Sequence, residues 1–222
     1  KVFQNNYDLV IHLAAIPGVR EPNKALQGDV NIRGFFNILT MCKKYKVKHL
    51  MYASSSSVYG SQTHQSENTI DLHPISYYAC TKLSNEVLAN TFSKDMKITG
   101  LRFFTVYGPW GRPDMALFIF TKAIFEGKPI QIYNQGNMQR NFTYIDDIVN
   151  GVLRVLNTPK KYEIYNIGNN KAEKLMDFIN EIEKNTGKTA IKEFLPMQPG
   201  DVVATVADIG KISKLGYEPK TD

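Results

Sequence analysis

The stretch ASSSSVYG at 53–60, followed by a polar loop and HPISYYACTK at 73–82, decides how this chain reads. It follows VKHLMYA (47–53), an apolar run with the composition of a buried parallel strand, so Ser55, Ser56 and Ser57 emerge at the strand's C-terminal end. Open α/β sheets bind ligands there. Pro74 and Ser76 then give a helix start signal, and Tyr78 and Lys82, four residues apart, project from one face of that helix. A hydroxyl, a phenol and an ammonium can thus surround one reacting carbon. Chance alone supplies about one Tyr-x-x-x-Lys spacing in a chain of this composition, so the preceding strand and serines carry the weight. A phenol with a pKa of about 10 is a poor base at neutral pH, but an adjacent ammonium favours its anion.

The rest of the composition sets bounds. A chain of 222 residues is long enough for a large core, as one domain or as one and a half. The net charge of +6 is spread along the chain with Lys well above Arg, which reads as a solvated basic surface rather than a nucleic-acid site. An anionic small substrate fits equally well. Cys42 and Cys80 fall in predicted helices without metal-ligand spacing, so they read as buried thiols and the expected setting is a reducing cytoplasm. His12, His49, His64 and His73 are scattered and form no metal set. No apolar run approaches the roughly 20 residues of a membrane span, and KVFQNNYDL at 1–9 carries no signal-peptide pattern. Neither membrane nor nucleic acid is an expected partner.

In chain order, DLVIHLAA (8–15) reads as a buried parallel strand and GFFNILTMCKKY (34–45) as a helix with a basic C-terminal end. KITGLRFF (97–104) is the next strand, and TVYGPWGRPDM (105–115) reads as a loop. Residues 115–126 form a predicted helix ended by Gly127, PIQIYNQG (129–136) a strand and turn, and 138–157 a strand that becomes a helix. YEIYNIG (162–168) is a strand, 171–187 an amphipathic helix and AIKEFLP (190–196) a strand.

Taken in order, VIHLAA (10–15), NIRG (31–34), SSSSVYG (54–60), YYACTK (77–82), LRFFTVYGPWGRPDM (101–115) and RNFTYIDDIV (140–149) resemble the extended short-chain dehydrogenase/reductases. Within that superfamily the chain resembles the NAD-dependent nucleotide-sugar epimerases and dehydratases, and the two longest strings look most like UDP-glucuronate 4-epimerases. The resemblance implies an α/β fold: a partial Rossmann-like doubly wound parallel sheet with a smaller α/β substrate-binding lobe. Residues 1–105 would be the C-terminal part of the dinucleotide-binding domain, and 106–222 mainly the nucleotide-sugar lobe, partly interleaved with the sheet. No G-x-x-G-x-x-G occurs in the sequence, so the expectation is a family member without its first three strands.

The resemblance also assigns roles. Tyr78 as phenolate would take the proton of the sugar 4-hydroxyl, Ser55 would hydrogen-bond the same oxygen, and Lys82 would stabilise the tyrosinate and hold a ribose of NAD. Leu13, Ala14, Ala15 and Asn31 would flank the cofactor, although Asn31 reads equally well as a helix residue satisfied by a backbone group. Arg140 would reach the diphosphate, with Asn141 in place of the usual Asp weakening its positioning, and Asp201 in the closing stretch would contact substrate. Ile16, Pro17 and Glu21 depart from the family pattern. Family dehydratases carry Asp-Glu just after the hydroxyl residue and decarboxylating relatives a Glu at the second place, where this chain has Ser56 and Ser57. That favours epimerisation. A uronate oxidised at C4 is a β-keto acid prone to lose carbon dioxide, so its carboxylate must be fixed, by Ser56, Ser57, Thr105 and Arg112 in this reading. An inactive relative and a neutral UDP-sugar 4-epimerase remain the alternatives. A homodimer is expected through helices 34–45 and 78–92, with Phe35, Phe36, Leu39, Leu83, Val87 and Leu88 as the apolar surface.

Overall fold

The structure is a computed structural model that describes residues 2–62, 64–198 and 201–221. β1 (Leu9–His12) leads into a helical stretch made of α1 (Lys24–Gly28), a π-helical turn (Asp29–Arg33) and α2 (Gly34–Lys44). The helix was expected only from residue 34. It begins a decade earlier because the Asn23 side chain accepts from the Leu26 amide and caps α1. β2 (His49–Ser55) ends in a 3₁₀ turn (Ser56–Tyr59), and α3 (Tyr77–Phe92) follows, capped by Ser76, whose hydroxyl accepts from the Ala79 amide at 3.1 Å.

β3 (Lys97–Phe103) is followed directly by β4 (Thr105–Tyr107), then α4 (Ala116–Glu126), β5 (Pro129–Ile132), β6 (Gln139–Arg140), β7 (Phe142–Tyr144) and α5 (Ile145–Leu156). β8 (Tyr162–Ile167), β9 (Glu173–Lys174), α6 (Leu175–Thr186), β10 (Ile191–Phe194) and α7 (Gly210–Ser213) complete the chain. Two expectations change here. Thr105–Tyr107 is a strand rather than loop, paired in parallel with β7, and Tyr107 packs edge-on against Tyr144 at 5.4 Å. The helix expected from residue 171 starts at Leu175, because residues 173–174 pair antiparallel with β6.

The main sheet is parallel, in the order β1-β2-β3-β8, and apolar helices cover both faces, as a doubly wound α/β fold requires. On one face Leu50, Tyr52 and Ile98 pack with Phe35, Leu39 and Cys42 of α2 and Ala89 of α3. On the other, Met51, Leu101, Tyr165 and Ile167 meet Ile148 and Val155 of α5, Ile212 of α7 and Tyr217. The alternation along β2 divides its side chains between the two layers. β8 draws residues beyond 160 back into this sheet. A third core, with Phe120 and Ile124 of α4, Ile130 and Ile132 of β5, and Ile179 and Ile182 of α6, supports the parallel pair β5 and β10 in a smaller α/β lobe.

Two surface expectations are corrected by this packing. Phe35 and Leu39 lie wholly in the core, so they offer nothing to a partner, whereas Phe36 and Val87 are exposed. Cys42 is buried but Cys80 is exposed, since it sits two positions past Tyr78 and so on the opposite side of α3. Among the described residues no helix is long and apolar enough to cross a membrane, and no cluster of ligating side chains could hold a metal ion.

Candidate active site

The C-terminal ends of β2 and β3 open into a cleft of about 820 Å³, walled by Leu13, Ala15, Ser55, Tyr78, Lys82 and the loop after β4. A second cavity of about 690 Å³ shares Arg20, Thr105 and Asp114 with the first and is lined by Tyr133, Arg140, Phe142 and Asp201 of the smaller lobe. The site therefore lies where an open parallel sheet meets an added lobe.

The serine turn arranges the phenol. Ser55 accepts from the Ser57 amide at 3.2 Å and from the Ser57 hydroxyl at 2.8 Å, and it stands near enough to Tyr78 to favour the anion of that phenol. Ser57 was read as a carboxylate ligand; here its one hydroxyl proton points to Ser55, while Ser56 lines the cleft. Burial raises the Tyr78 pKa above its ordinary value, and the Ser55 hydrogen bond and the Arg112 charge pull it back. The sequence reading gave that lowering to Lys82. Instead, the Lys82 ammonium donates to the carbonyl of Ala53 at 2.8 Å and stands 5.7 Å from the centre of the Tyr78 ring.

Around this centre the other candidates are spread along the cleft. Arg112 pairs with Asp114, its Nε donating at 3.0 Å, on the exposed loop after β4. Asn31 is buried behind the wall, where its side chain accepts from the Ile16 amide at 2.8 Å and donates to the Ile16 carbonyl and to Thr81. It thereby ties the loop after β1 to α3. A π turn at that point swings it inward. Ala14 is exposed beside the lining residues Leu13 and Ala15. His12 stacks on Phe35, and burial together with the Lys82 charge holds its pKa down.

In the second cavity Arg140 donates to the carbonyls of Gln139 and Val203. Burial lowers its pKa, Asp201 raises it and Arg20 lowers it further. Asn141 plays no part in holding it: that side chain donates to the carbonyls of Asn169 and Lys171 and accepts from the Asn169 amide, tying β7 to the turn after β8. The sequence reading missed Arg20, which forms an ion pair with Asp201 at 2.6 Å across the junction of the two cavities. No local signal links residues 181 positions apart. It also missed the buried pair Glu86 and Arg102 beneath the site, although two opposite charges on otherwise apolar faces imply each other.

The cleft fits the nicotinamide end of NAD. Leu13 and Ala15 supply small apolar wall beside the phenol, and the Lys82 ammonium has two N–H groups beyond its bond to Ala53 for a ribose. When bound, NAD supplies an oxidant that takes hydride from a carbinol carbon and can return it.

The burial of Lys82 has a measurable consequence, since it lowers the pKa from 10.5 to about 8. A lysine whose folded pKa lies below its unfolded one weakens the fold while charged. That cost is full below about pH 8 and is relieved as pH rises to 10.5, because the unfolded chain then binds more protons. The unfolding free energy of Lys82→Met relative to the parent should therefore be flat below pH 8 and fall between pH 8 and 10.5. Denaturant titrations across that range check it, and a flat difference throughout would contradict the lowered pKa.

Comparison with known proteins agrees with this geometry. The family model of the NAD dependent epimerase/dehydratase family matches residues 1–168. Protein CapI of Staphylococcus aureus is 45% identical, over 100% of this chain and 74% of its own length. The UDP-glucuronate 4-epimerase of Thermodesulfobacterium geofontis is 44% identical, over 95% of this chain and 67% of its own. The UDP-glucuronic acid 4-epimerase from Bacillus cereus, solved with UDP-glucuronic acid and NAD, superposes with a TM-score of 0.93 at 39% identity, covering 100% of this chain and 73% of that one. With a parallel sheet, a serine turn and a Tyr-Lys helix meeting at the strand ends, this chain belongs to the NAD dependent epimerase/dehydratase family.

Proposed function

We propose that the protein inverts C4 of UDP-glucuronate to give UDP-galacturonate, within the NAD-dependent 4-epimerisation of UDP-sugars that its family and relatives support. The observation that carries the reading is the composition of the cleft: a phenol held by Ser55, hydroxyls rather than carboxylates at Ser56 and Ser57, and an arginine near enough to act on that phenol. Tyr78, as phenolate, accepts the proton of the 4-hydroxyl while Ser55 hydrogen-bonds the same oxygen. Lys82 keeps positive charge beneath the base and takes a cofactor ribose. The 4-keto sugar then turns over in the cleft, and Tyr78 gives its proton back when C4 is reduced on the other face. Ser56, Thr105 and Arg112 hold the carboxylate out of the alignment that lets a β-keto acid lose carbon dioxide, with Ser57 joining them if its hydroxyl swings away from Ser55. Arg140, with Asp201 beside it, serves the diphosphate end in the second cavity.

The pairing of Arg112 with Asp114 favours a second reading, a neutral UDP-sugar as substrate, because the guanidinium then has a partner within the protein. Arg112→Ala separates the two. Loss of a charge-assisted contact worth about 2 kcal/mol or more corresponds to a KM for UDP-glucuronate raised by roughly thirtyfold or more, with UDP-glucose turnover little changed. Mass spectrometry of the products should also detect some decarboxylated 4-ketopentose. Equal losses on the two sugars, with no pentose product, would remove both the clamp and the uronate.

A cytoplasmic homodimer completes the reading. Phe36, 46% exposed, packs edge-on against Phe92, and Val87 is 62% exposed, so α2 and α3 share an apolar strip facing outward. The free thiols suit a reducing compartment. Light scattering should give twice the monomer mass, and Phe36→Glu together with Val87→Glu should halve it. A monomer at all concentrations would overturn the dimer.

A further inference from the structure

Beneath the cleft, α3 and β2 meet in a ladder. Tyr78, Lys82 and Glu86 lie four residues apart on one face of α3, and they face three consecutive residues of β2: Lys82 donates to the Ala53 carbonyl at 2.8 Å, Glu86 accepts from the Ser54 hydroxyl at 2.5 Å, and Tyr78 stands near enough to Ser55 to feel its hydroxyl. Arg102 stands opposite Ser54 on β3 and grips both oxygens of Glu86, Nε at 2.9 Å and Nη2 at 2.7 Å. Both side chains are almost fully buried, 3% and 5% exposed. The guanidinium lies 4.7 Å over the ring of Tyr59, at the end of the turn that carries Ser56 and Ser57. The Tyr162 hydroxyl of β8 donates to the backbone carbonyl of Glu86 at 2.8 Å. One carboxylate therefore joins α3 to β2 and β3, next to the two groups that face the substrate.

A buried ion pair is a poor way to gain stability. Its desolvation cost roughly cancels its attraction, and apolar side chains of the same volume often do as well or better. Direction is what such a pair adds. Leucine and methionine would fill the space but leave α3 free to slide or roll on β2, whereas a carboxylate held by three directional bonds accepts one register. Lys82 and Tyr78 inherit that register because they stand one and two turns away, respectively, on the same face.

We propose that Glu86, gripped by Arg102 and Ser54, is a positioning residue for the reaction: it sets the register of α3 on β2 at which the Tyr78 hydroxyl meets Ser55 and the Lys82 ammonium meets Ala53. Glu86 touches neither substrate nor cofactor in this role. The inference rests on the reading of Tyr78 as the base.

The double variant Glu86→Leu/Arg102→Met tests it, since it removes both charges at similar volume. Its thermal midpoint should stay close to the parent's, and its KM for the UDP-sugar within about twofold. Its kcat should fall about ten- to a hundredfold, the scale set by small misplacements of catalytic groups. The acidic limb of its kcat against pH should move upward, because a phenol out of register with Ser55 is harder to ionise. Glu86→Gln keeps the acceptor for Ser54 without the charge, and should recover kcat to within about threefold of the parent although it folds less stably. If the double variant does not fold, Glu86→Asp decides: it keeps the charge and withdraws the carboxylate by one methylene, and its kcat should fall about tenfold with the same shift in pH profile. Parental kcat and pH profile in the double variant, or in Glu86→Asp, would overturn the positioning role. A parent enzyme without epimerase activity would instead defeat the reading of the reaction, so the two failures are distinguishable.

Discussion

The register of α3 on β2 is the constraint on which the site depends. A phenol and an ammonium four residues apart on a helix are chemically idle until a strand end presents a hydroxyl to one and a carbonyl to the other. Ser55 and Ala53 do so from the end of β2, and Ser54 between them meets Glu86 of the same helix, which Arg102 of β3 grips. Because the sheet is parallel and covered on both faces, the cleft opens at that strand end rather than on a face of the sheet.

The electrostatics of the site follow from burial more than from proximity. Burial raises the Tyr78 pKa and lowers that of Lys82, so each group in isolation is pushed toward its neutral form. Hydrogen bonds then act selectively: Ser57 aligns Ser55, Ser55 supports the phenolate, and the Ala53 carbonyl holds the ammonium. Arg112 adds positive charge from the loop after β4, within reach of the phenol while paired to Asp114. A bound sugar that draws Arg112 away from Asp114 would link carboxylate recognition to the ionisation of the base. Asp201 pairs with Arg20 and its charge also acts on Arg140, so two guanidinium groups against one carboxylate leave that region net positive.

What the sequence made legible was local. An apolar run, a serine turn and a capped helix are each set by residues within a few positions of one another, so β2, the turn and α3 read correctly together with the groups they present. The doubly wound fold was implied by the family resemblance of the motifs taken in chain order. The errors fall where partners lie far apart in the chain. β4 and β9 exist because β7 and β6 are available to pair with them, and residues 105–107 or 173–174 alone carry no such signal. Asn141 read as a weakened support for Arg140 until its amide was found spanning to residues 169 and 171. Phe35, Leu39 and Cys80 were misread for a smaller reason, an uncertain phase of the helix that carries each. Glu86 and Arg102 were visible as charges on apolar elements, a pattern that itself asks for a buried partner.

In the proposed reaction C4 is oxidised and then reduced by the same bound cofactor, with Tyr78 moving only the hydroxyl proton. The most direct test gives the enzyme a UDP-sugar carrying deuterium at C4 in ordinary water and follows both epimers by mass spectrometry and NMR. The account predicts that the 4-epimer forms with deuterium retained at C4. Loss of the label to solvent during epimerisation would contradict it, since it would mean that C4 exchanges a proton rather than keeping its hydrogen through an internal oxidation and return.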